Sequence, residues 1–202
     1  MSSRPLTDKA EARIEAQRER ILTAAQECFI GHGFHAASMA SIAETAGMSA
    51  GLIYRYFENK NAIILAIVER QLQLLRNDIQ LNRNVDLPAE MVDNYGRSCI
   101  ADGRGMNAAL LLEMSAEATR DPQIAAALDH YDSTLRTALV DWLSRSKQTG
   151  GHELPASVGR ERALILQCLF EGLKIRETRE PDLDRELLAR ALQAFVPQLL
   201  KP

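Results

Sequence analysis

An all-α fold is what this sequence predicts, and three observations carry the prediction. Ala and Leu are abundant while aromatic residues make up only 5% of the 202 residues. Long alternating runs of Val, Ile, Thr and aromatic residues, which a sheet needs, are hard to find. Apolar residues instead recur at spacings of three, four and seven, in blocks closed by glycine or proline. A hydrophobic fraction of 46% is enough for a substantial core and argues against wholesale disorder.

Taken in order, residues 1–10 read as a flexible arm. From about Glu11 to Gly31, Ile14, Ile21, Ala25, Cys28 and Phe29 form one stripe of a first helix, ended by Gly31 and Gly33. Ser38 is a good N-cap for a short second helix with Met39, Ile42, Ala43 and Ala46 on its inner face, and Gly47 stops it. Ser49 caps a third short helix to about Tyr56. Asn59 caps a long fourth helix from Lys60 to about Leu81. The polar stretch Asn82–Pro88 reads as a linker. Beyond it, helices are expected over about 88–102, 105–119, 122–147, 157–178 and 183–200, with Pro122 in a first turn and Gly150, Gly151, Pro155 and Pro181 as breaks. The chain then divides into the arm, a unit over 11–60, a connecting helix over 61–82 and a C-terminal domain over 83–202, about nine helices in all.

Composition narrows the function. The net charge is −3 and the first sixty residues are balanced: Arg4, Lys9, Arg13, Arg18, Arg20, Arg55 and Lys60 face as many carboxylates. No bulk positive field is available, so any nucleic-acid contact must come from locally placed groups. Cys28, Cys99 and Cys168 are odd in number and far apart, which fits free thiols in a reducing compartment. The N-terminus has no apolar secretion segment, and Ala62–Val68 is too short to span a membrane. A cytoplasmic protein with no membrane association is expected.

The informative spacing is Ala43-x3-Gly47-x5-Ile53. A helix-turn-helix needs a small residue where the second helix crosses the first. It also needs a glycine in the turn and a branched apolar residue facing inward. All three fall at the right intervals. The second helix of such a pair can enter a major groove roughly 12 Å wide, N-terminal residues first.

The run from Ser38 to Lys60, and above all Tyr54-x-Tyr56-Phe57-x2-Lys60, resembles the tetracycline-repressor (TetR/AcrR) type of regulator in detail over about Ile21 to Ile67. Elsewhere the resemblance is one of helical layout and length. It implies a transcriptional regulator, most simply a repressor released from a palindromic operator by a small-molecule effector. It also implies a set of DNA-facing positions: Ser38, Met39, Ser49, Ala50, Gly51, Leu52, Tyr54, Arg55, Tyr56 and Lys60. In that set, Ser38 and Ser49 offer hydroxyls or helix-end N–H groups, and Gly51 lets the backbone come close. Tyr54 and Tyr56 offer phenols, and Lys60 offers a charge. Phe57 and Ile53 are expected in the core. Leu52, if exposed, can touch a thymine methyl; with Ala50 beside it, direct base readout is thin.

Other readings of single motifs stay local. Gly47-Met-Ser-Ala-Gly51 matches the G-x-S-x-G of α/β-hydrolases, which would make Ser49 a nucleophile, but the preceding residues have helical spacing where that motif needs a strand. Ser144-x2-Lys147 matches S-x-x-K without its partner motifs. His32 and His35 lack the companions of a metal site, so no metal and no cofactor are expected. Arg13–Arg20 with its interleaved glutamates reads as a solvated face with i,i+4 pairs; Arg18 or Arg20 reaching a phosphate is the alternative.

The resemblance gives the C-terminal domain two tasks, an effector pocket and a dimer contact. Pocket candidates are Tyr95, Cys99, Met106, Leu110, Glu113, Met114, Glu117, Tyr131 and Trp142, with ordinary core packing as the competing reading. Glu113 and Glu117 lie one turn apart on an apolar segment and suit a cationic ligand, or equally the solvent side of the helix. For the homodimer the candidates are Leu166, Phe170, Leu173, Leu188, Leu192 and Phe195 on the last two helices. Two-fold symmetry would set the recognition helices about 34 Å apart or a multiple of that. Effector binding would move the fourth helix and spoil that spacing. Nearly full switching requires the ligand to favour the non-binding state by about 5.5 kcal/mol.

Overall fold

The computed structural model describes residues 4–81, 86–96 and 107–201. Helices are the only regular elements among them: α1 (Arg4–His32), α2 (Met39–Thr45), α3 (Ala50–Ile53), α4 (Lys60–Leu81), α5 (Leu87–Asn94), α6 (Ala108–Ala118), α7 (Pro122–Ser144), α8 (Ala156–Arg179) and α9 (Arg185–Leu199). A single 3-10 turn, Lys147–Thr149, follows α7.

Most starts are written locally. The side chains of Asp86, Asn107, Asp121 and Asp184 each accept backbone N–H groups in the first turn of α5, α6, α7 and α9. Each satisfies donors that a helix start leaves free. Helix α3 stops at Ile53, short of the expected Tyr56, and two further boundaries differ from the sequence expectation. Helix α1 begins at Arg4, so most of the expected arm is helical; Pro5 suits a first turn, and Lys9, Ala10, Glu11 and Ala12 all favour helix. Helix α5 ends at Asn94, because Gly96 takes a left-handed φ of 70° and turns the chain. The proposed linker residues 82–85 lie outside the described residues.

The buried side chains form two clusters, and their division does not follow the sequence division at residue 82. The first holds α1–α3 and the N-terminal half of α4, through Ile21, Phe29, Ile42, Ile53, Ile63 and Ile67. Leu110 and Met114 of α6 and Ile124 of α7 belong to this same cluster. The second joins α5, the C-terminal end of α7, α8 and α9 through Leu87, Met91, Leu143, Leu166, Leu192 and Val196. Helix α7 runs through both, since its two ends present apolar residues to different neighbours. Helices α1–α4 are therefore packed directly on the α6–α7 corner, and α1–α3 do not merely hang from α4.

Candidate nucleic-acid interface

The helix-turn-helix is built by caps. Ser38 is extended (φ −114°, ψ 158°); its Oγ accepts the Ser41 N–H at 3.0 Å, and the Ser41 Oγ accepts the Ser38 N–H at 2.8 Å. This reciprocal pair fixes the start of α2. Its end is a Schellman turn: the Gly47 N–H donates to Glu44 O and the Met48 N–H to Ala43 O, both at 2.9 Å, with Gly47 at φ 60°. A Cβ built on Gly47 would lie 2.8 Å from Nη2 of Arg20, which donates to the Gly47 carbonyl at 3.3 Å. The turn glycine is thus required by its φ, while the close guanidinium is the end of a flexible side chain that can move aside. Ser49 is extended and its Oγ accepts the Leu52 N–H, opening α3. Ile53 and Phe57 are buried beneath it, as the spacing predicts.

Outward, Ser49, Ala50, Gly51, Tyr54 and Arg55 are exposed. Tyr54 keeps 56% of its surface, although aromatic side chains are usually more buried. Nothing lies within 4 Å of a Cβ built on Gly51, so no contact inside this chain calls for glycine there. Tyr56 and Leu52 are half-buried, Tyr56 packing against the first core. Leu52 can therefore offer only part of its side chain to a thymine methyl.

Two of the expected DNA-facing side chains are engaged inside the chain. Met39 is buried in the first core, because the first turn of α2 turns its side chain inward. Lys60 has another task. Its Nζ donates to the carbonyls of Phe34 (2.7 Å), Ala37 (2.6 Å) and His35 (3.4 Å), and it lies 4.6 Å from the Phe34 ring centroid. An ammonium has three protons and all three have acceptors, so the charge ties the α1–α2 loop to α4. Two arginines of α1 are engaged as well. Arg18 stacks over Phe57 at 4.6 Å and reaches the Tyr56 carbonyl, and Arg20 reaches the Gly47 carbonyl; each guanidinium has five N–H donors, so each keeps others unused by these bonds. The expected i,i+4 pairs along α1 give way to a longer link, Glu19 to Arg70 of α4 at 2.8 Å. Arg70 also donates to Gln26, which is buried.

The pocket candidates do not converge. Leu110, Met114 and Tyr131 pack on the first core, whereas Tyr95 and Trp142 belong to the second. Cys99 and Met106 lie outside the described residues. Glu113, half-buried, and Glu117, buried, bond the α1–α2 loop. The Phe34 N–H donates to Glu113 Oε2 at 2.7 Å, and Glu117 Oε1 lies 2.9 Å from Nε2 of His35 and 3.3 Å from Arg120. Asn61, at the start of α4, donates to Asp121, the N-cap of α7. From this one corner, α6 holds the loop that leads into α2, and the N-cap of α7 holds the start of α4. Helical periodicity marks Glu113 and Glu117 as one face; what that face meets depends on residues about eighty positions away. In the second core the Tyr95 hydroxyl donates to the Glu180 carbonyl at 2.8 Å, and Trp142 lies edge-on to His152 at 4.6 Å with its buried Nε1–H unpartnered. Burial of His152 lowers its pKa from the usual 6.5, as does the Lys147 charge, against a hydrogen bond to Leu200.

The dimer candidates divide by burial. Leu166, Leu188 and Leu192 point into the second core, and Phe170 and Leu173 are half-buried against it. Phe195 is exposed, and with it Leu187 on α9 and Leu164 and Ile165 on α8. The apolar stripe of each helix was legible, but it was the inward stripe; the outward one is shorter and broken by polar residues.

A capped pair of short helices, its second member carrying exposed hydroxyl, phenol and guanidinium groups on an all-helical body, defines a helix-turn-helix DNA-binding regulator. Comparison with known proteins assigns it more closely. Residues 21–67 match the model of bacterial regulatory proteins of the tetR family, and residues 88–201 match that of the C-terminal region of BetI-type transcriptional repressors. The chain belongs to the tetR family. It is 30% identical over 200 residues to the HTH-type transcriptional regulator UidR of Escherichia coli K12, covering 96% of this chain and 98% of that one. The HTH-type transcriptional activator FasR of Mycolicibacterium smegmatis is 27% identical over 68% of this chain and 64% of its own. Among solved structures, Salmonella enterica GusR superposes with a TM-score of 0.70 at 29% identity, covering 92% of this chain and 95% of that one. Members of the family are typically ligand-responsive repressors that bind operator DNA as dimers. The chain is accordingly a DNA-binding transcriptional regulator and not an enzyme. Ser49, the residue of the G-x-S-x-G match, caps a helix that follows another helix. No helix among the described residues is long and apolar enough to cross a membrane.

Proposed function

We propose that this chain is a homodimeric repressor that holds a palindromic operator and releases it when a small molecule binds the C-terminal half. The observation that carries the DNA part is the set of groups at the mouth of α3: Ser49, Gly51, Tyr54 and Arg55 are all exposed, and beyond the helix cap made by Ser49 no contact inside the chain accounts for them. Ser49 and Tyr54 bond phosphate oxygens, and Gly51 admits the backbone to close range. The phosphate grip rests on hydroxyls, helix-end N–H groups and Arg55, with Lys60 as a brace behind them. Ala50 and the half-exposed part of Leu52 leave sequence to be read by methyl contact and DNA shape.

Two-fold pairing through the exposed Leu164, Ile165, Leu187 and Phe195 supplies the symmetry that a palindrome needs. The switch runs through the α6–α7 corner as well as α4. A ligand that shifts α6 moves Glu113 and Glu117, and with them the loop that positions α2. The DNA directly upstream of the chain's own reading frame is the probe. An electrophoretic shift with that duplex, lost in Tyr54→Ala with the fold intact, supports the reading. An esterase activity lost in Ser49→Ala, with no shift at any salt, overturns it.

A further inference from the structure

Between α1 and the recognition helix runs an open groove of about 580 Å³ lined by Ala10, Arg13, Ile14, Gln17, Leu52 and Arg55, with Tyr56 at its end. We infer that this groove seats a DNA sugar–phosphate strand flanking the bases that α3 reads, with Arg13 and Arg55 as its phosphate ligands. The inference rests on the DNA-binding reading above and adds a surface of α1 to it.

Four observations carry it. First, the cations near the recognition helix fall into two kinds. Arg18, Arg20 and Lys60 are held by carbonyls or aromatic rings. Arg13 and Arg55 make no side-chain hydrogen bond or ion pair with any described residue, and both line this one groove. Second, its floor is apolar. Ile14 is 50% exposed on a helix whose other exposed positions are mostly polar, and it faces the half-buried Leu52. A sugar–phosphate strand alternates an apolar deoxyribose with an anion, which is the chemistry this floor and rim offer.

Third, α1 sorts its charges. Ala10, Arg13, Ile14 and Gln17 follow each other at three and four residues and share the groove face. Glu11, Glu15 and Glu19 also repeat every four residues, but at about 100° per residue they fall on a different face, and Glu19 is tied to Arg70. The balanced charge of the first sixty residues is thereby resolved in space. Fourth, the groove on the other side of the unit, between α1 and the end of α2, has the opposite character. It is lined by Glu27 and Glu44, and its one cation, Arg20, is bonded to Gly47. Of these two grooves beside the helix-turn-helix, only the first suits an anion.

The test is the salt dependence of binding. Anisotropy of a labelled duplex of the upstream DNA is read between 50 and 200 mM KCl for wild type, Arg13→Ala, Arg13→Glu, Arg55→Ala and Arg160→Ala. Arg160, exposed on α8, is the control. Each lost phosphate contact lowers the slope of log K against log salt by about 0.9 per protomer. The inference expects that loss for Arg13→Ala and Arg55→Ala, a larger loss of affinity for Arg13→Glu, and none for Arg160→Ala. All four variants should keep the wild-type melting temperature, since none of these guanidiniums has a partner within the described chain. Wild-type slopes in both Arg13 variants, with DNA bound, overturn the inference and leave the repressor reading standing. That outcome is also the one expected if the groove takes an amphipathic small anion instead. Failure of the wild type to bind duplex at 50 mM overturns both.

Discussion

The backbone N–H of Phe34 donates to the Glu113 carboxylate at 2.7 Å, across 79 residues of sequence. Gly33, just before it, has φ 78°, and a Cβ there would meet Glu113 Oε1 at 3.4 Å. The left-handed glycine turns the chain so that the next N–H aims at α6. The half-buried carboxylate thus replaces a helix carbonyl as acceptor for a loop amide. Glu113→Leu should cost about 1–3 kcal/mol, the range for a lost hydrogen bond to a charged group. That corresponds to roughly 2–4 °C of melting temperature per kcal/mol in a chain of this size. The same variant should weaken the coupling between effector and operator, read as a smaller ratio of DNA affinities with and without inducer. An unchanged ratio would show that the corner is only structural.

Lys60 separates bracing from binding. Lys60→Met removes the donor of the Phe34 and Ala37 carbonyls and leaves both beside the core. A stability loss of about 1–3 kcal/mol is expected from unsatisfied partners. The salt slope of DNA binding should stay within experimental error of wild type, in contrast to Arg55→Ala. A slope lowered by about 0.9 would return Lys60 to the phosphate-binding set.

Tyr54 and Ser38 should fail in different assays. Tyr54→Phe removes an exposed hydroxyl, so melting is unchanged while affinity falls for all duplexes alike, by about 1 kcal/mol or fivefold to tenfold. Ser38→Ala removes a capping box and costs about 1 kcal/mol of stability before any DNA is added. Thermal unfolding beside anisotropy distinguishes them. A Tyr54→Phe protein that loses affinity for only one sequence would mean that the phenol reads a base.

Phe195 and Leu166 give the dimer its control. Leu187→Asp with Phe195→Asp should convert a dimer to a folded monomer by light scattering, because both side chains are half-exposed on α9. Leu166→Ala should instead destabilise the fold by about 2–5 kcal/mol, the cost of a core cavity. A double variant that stays dimeric would place the interface elsewhere.

Tyr131 makes the stability of the chain sensitive to alkali. Burial of its phenol, then the charge of Asp132, raises its pKa from 10.0 to about 12. The folded state thus holds the proton more tightly than the unfolded one. The associated stability is complete below about pH 10 and is lost as pH rises through about 12. Urea midpoints should fall between pH 9 and 11 more steeply in wild type than in Tyr131→Phe. Equal slopes would mean that the phenol is solvated.

The local elements were largely legible. The caps at Ser38 and Ser49, the turn at Gly47 and the inward Ile53 all stand where the sequence places them, since each depends on groups within a few residues. Helix bounds beyond residue 107 agree to within a turn for the same reason. What local pattern does not show is the partner each side chain finds. Met39 and Lys60 sit at DNA-facing positions by number, yet one is turned into the core and the other toward three carbonyls. Leu166, Leu188 and Leu192 mark an apolar stripe in the sequence, and within the chain that stripe packs into the second core.

What the sequence alone determined is therefore the helix-turn-helix and the all-helical body around it. Periodicity, caps and turn glycines are local physics, readable from neighbours in the chain. What only the tertiary structure decided is which charges remain available. Arg18, Arg20 and Lys60 are tied down by backbone carbonyls and rings, Glu113 and Glu117 by the loop at Phe34 and His35, and Arg13 and Arg55 are left facing one groove. Carbonyls and ring faces carry no mark in a sequence. They acquire partners only when helices far apart in the chain are brought within about 3 Å, the range of a hydrogen bond.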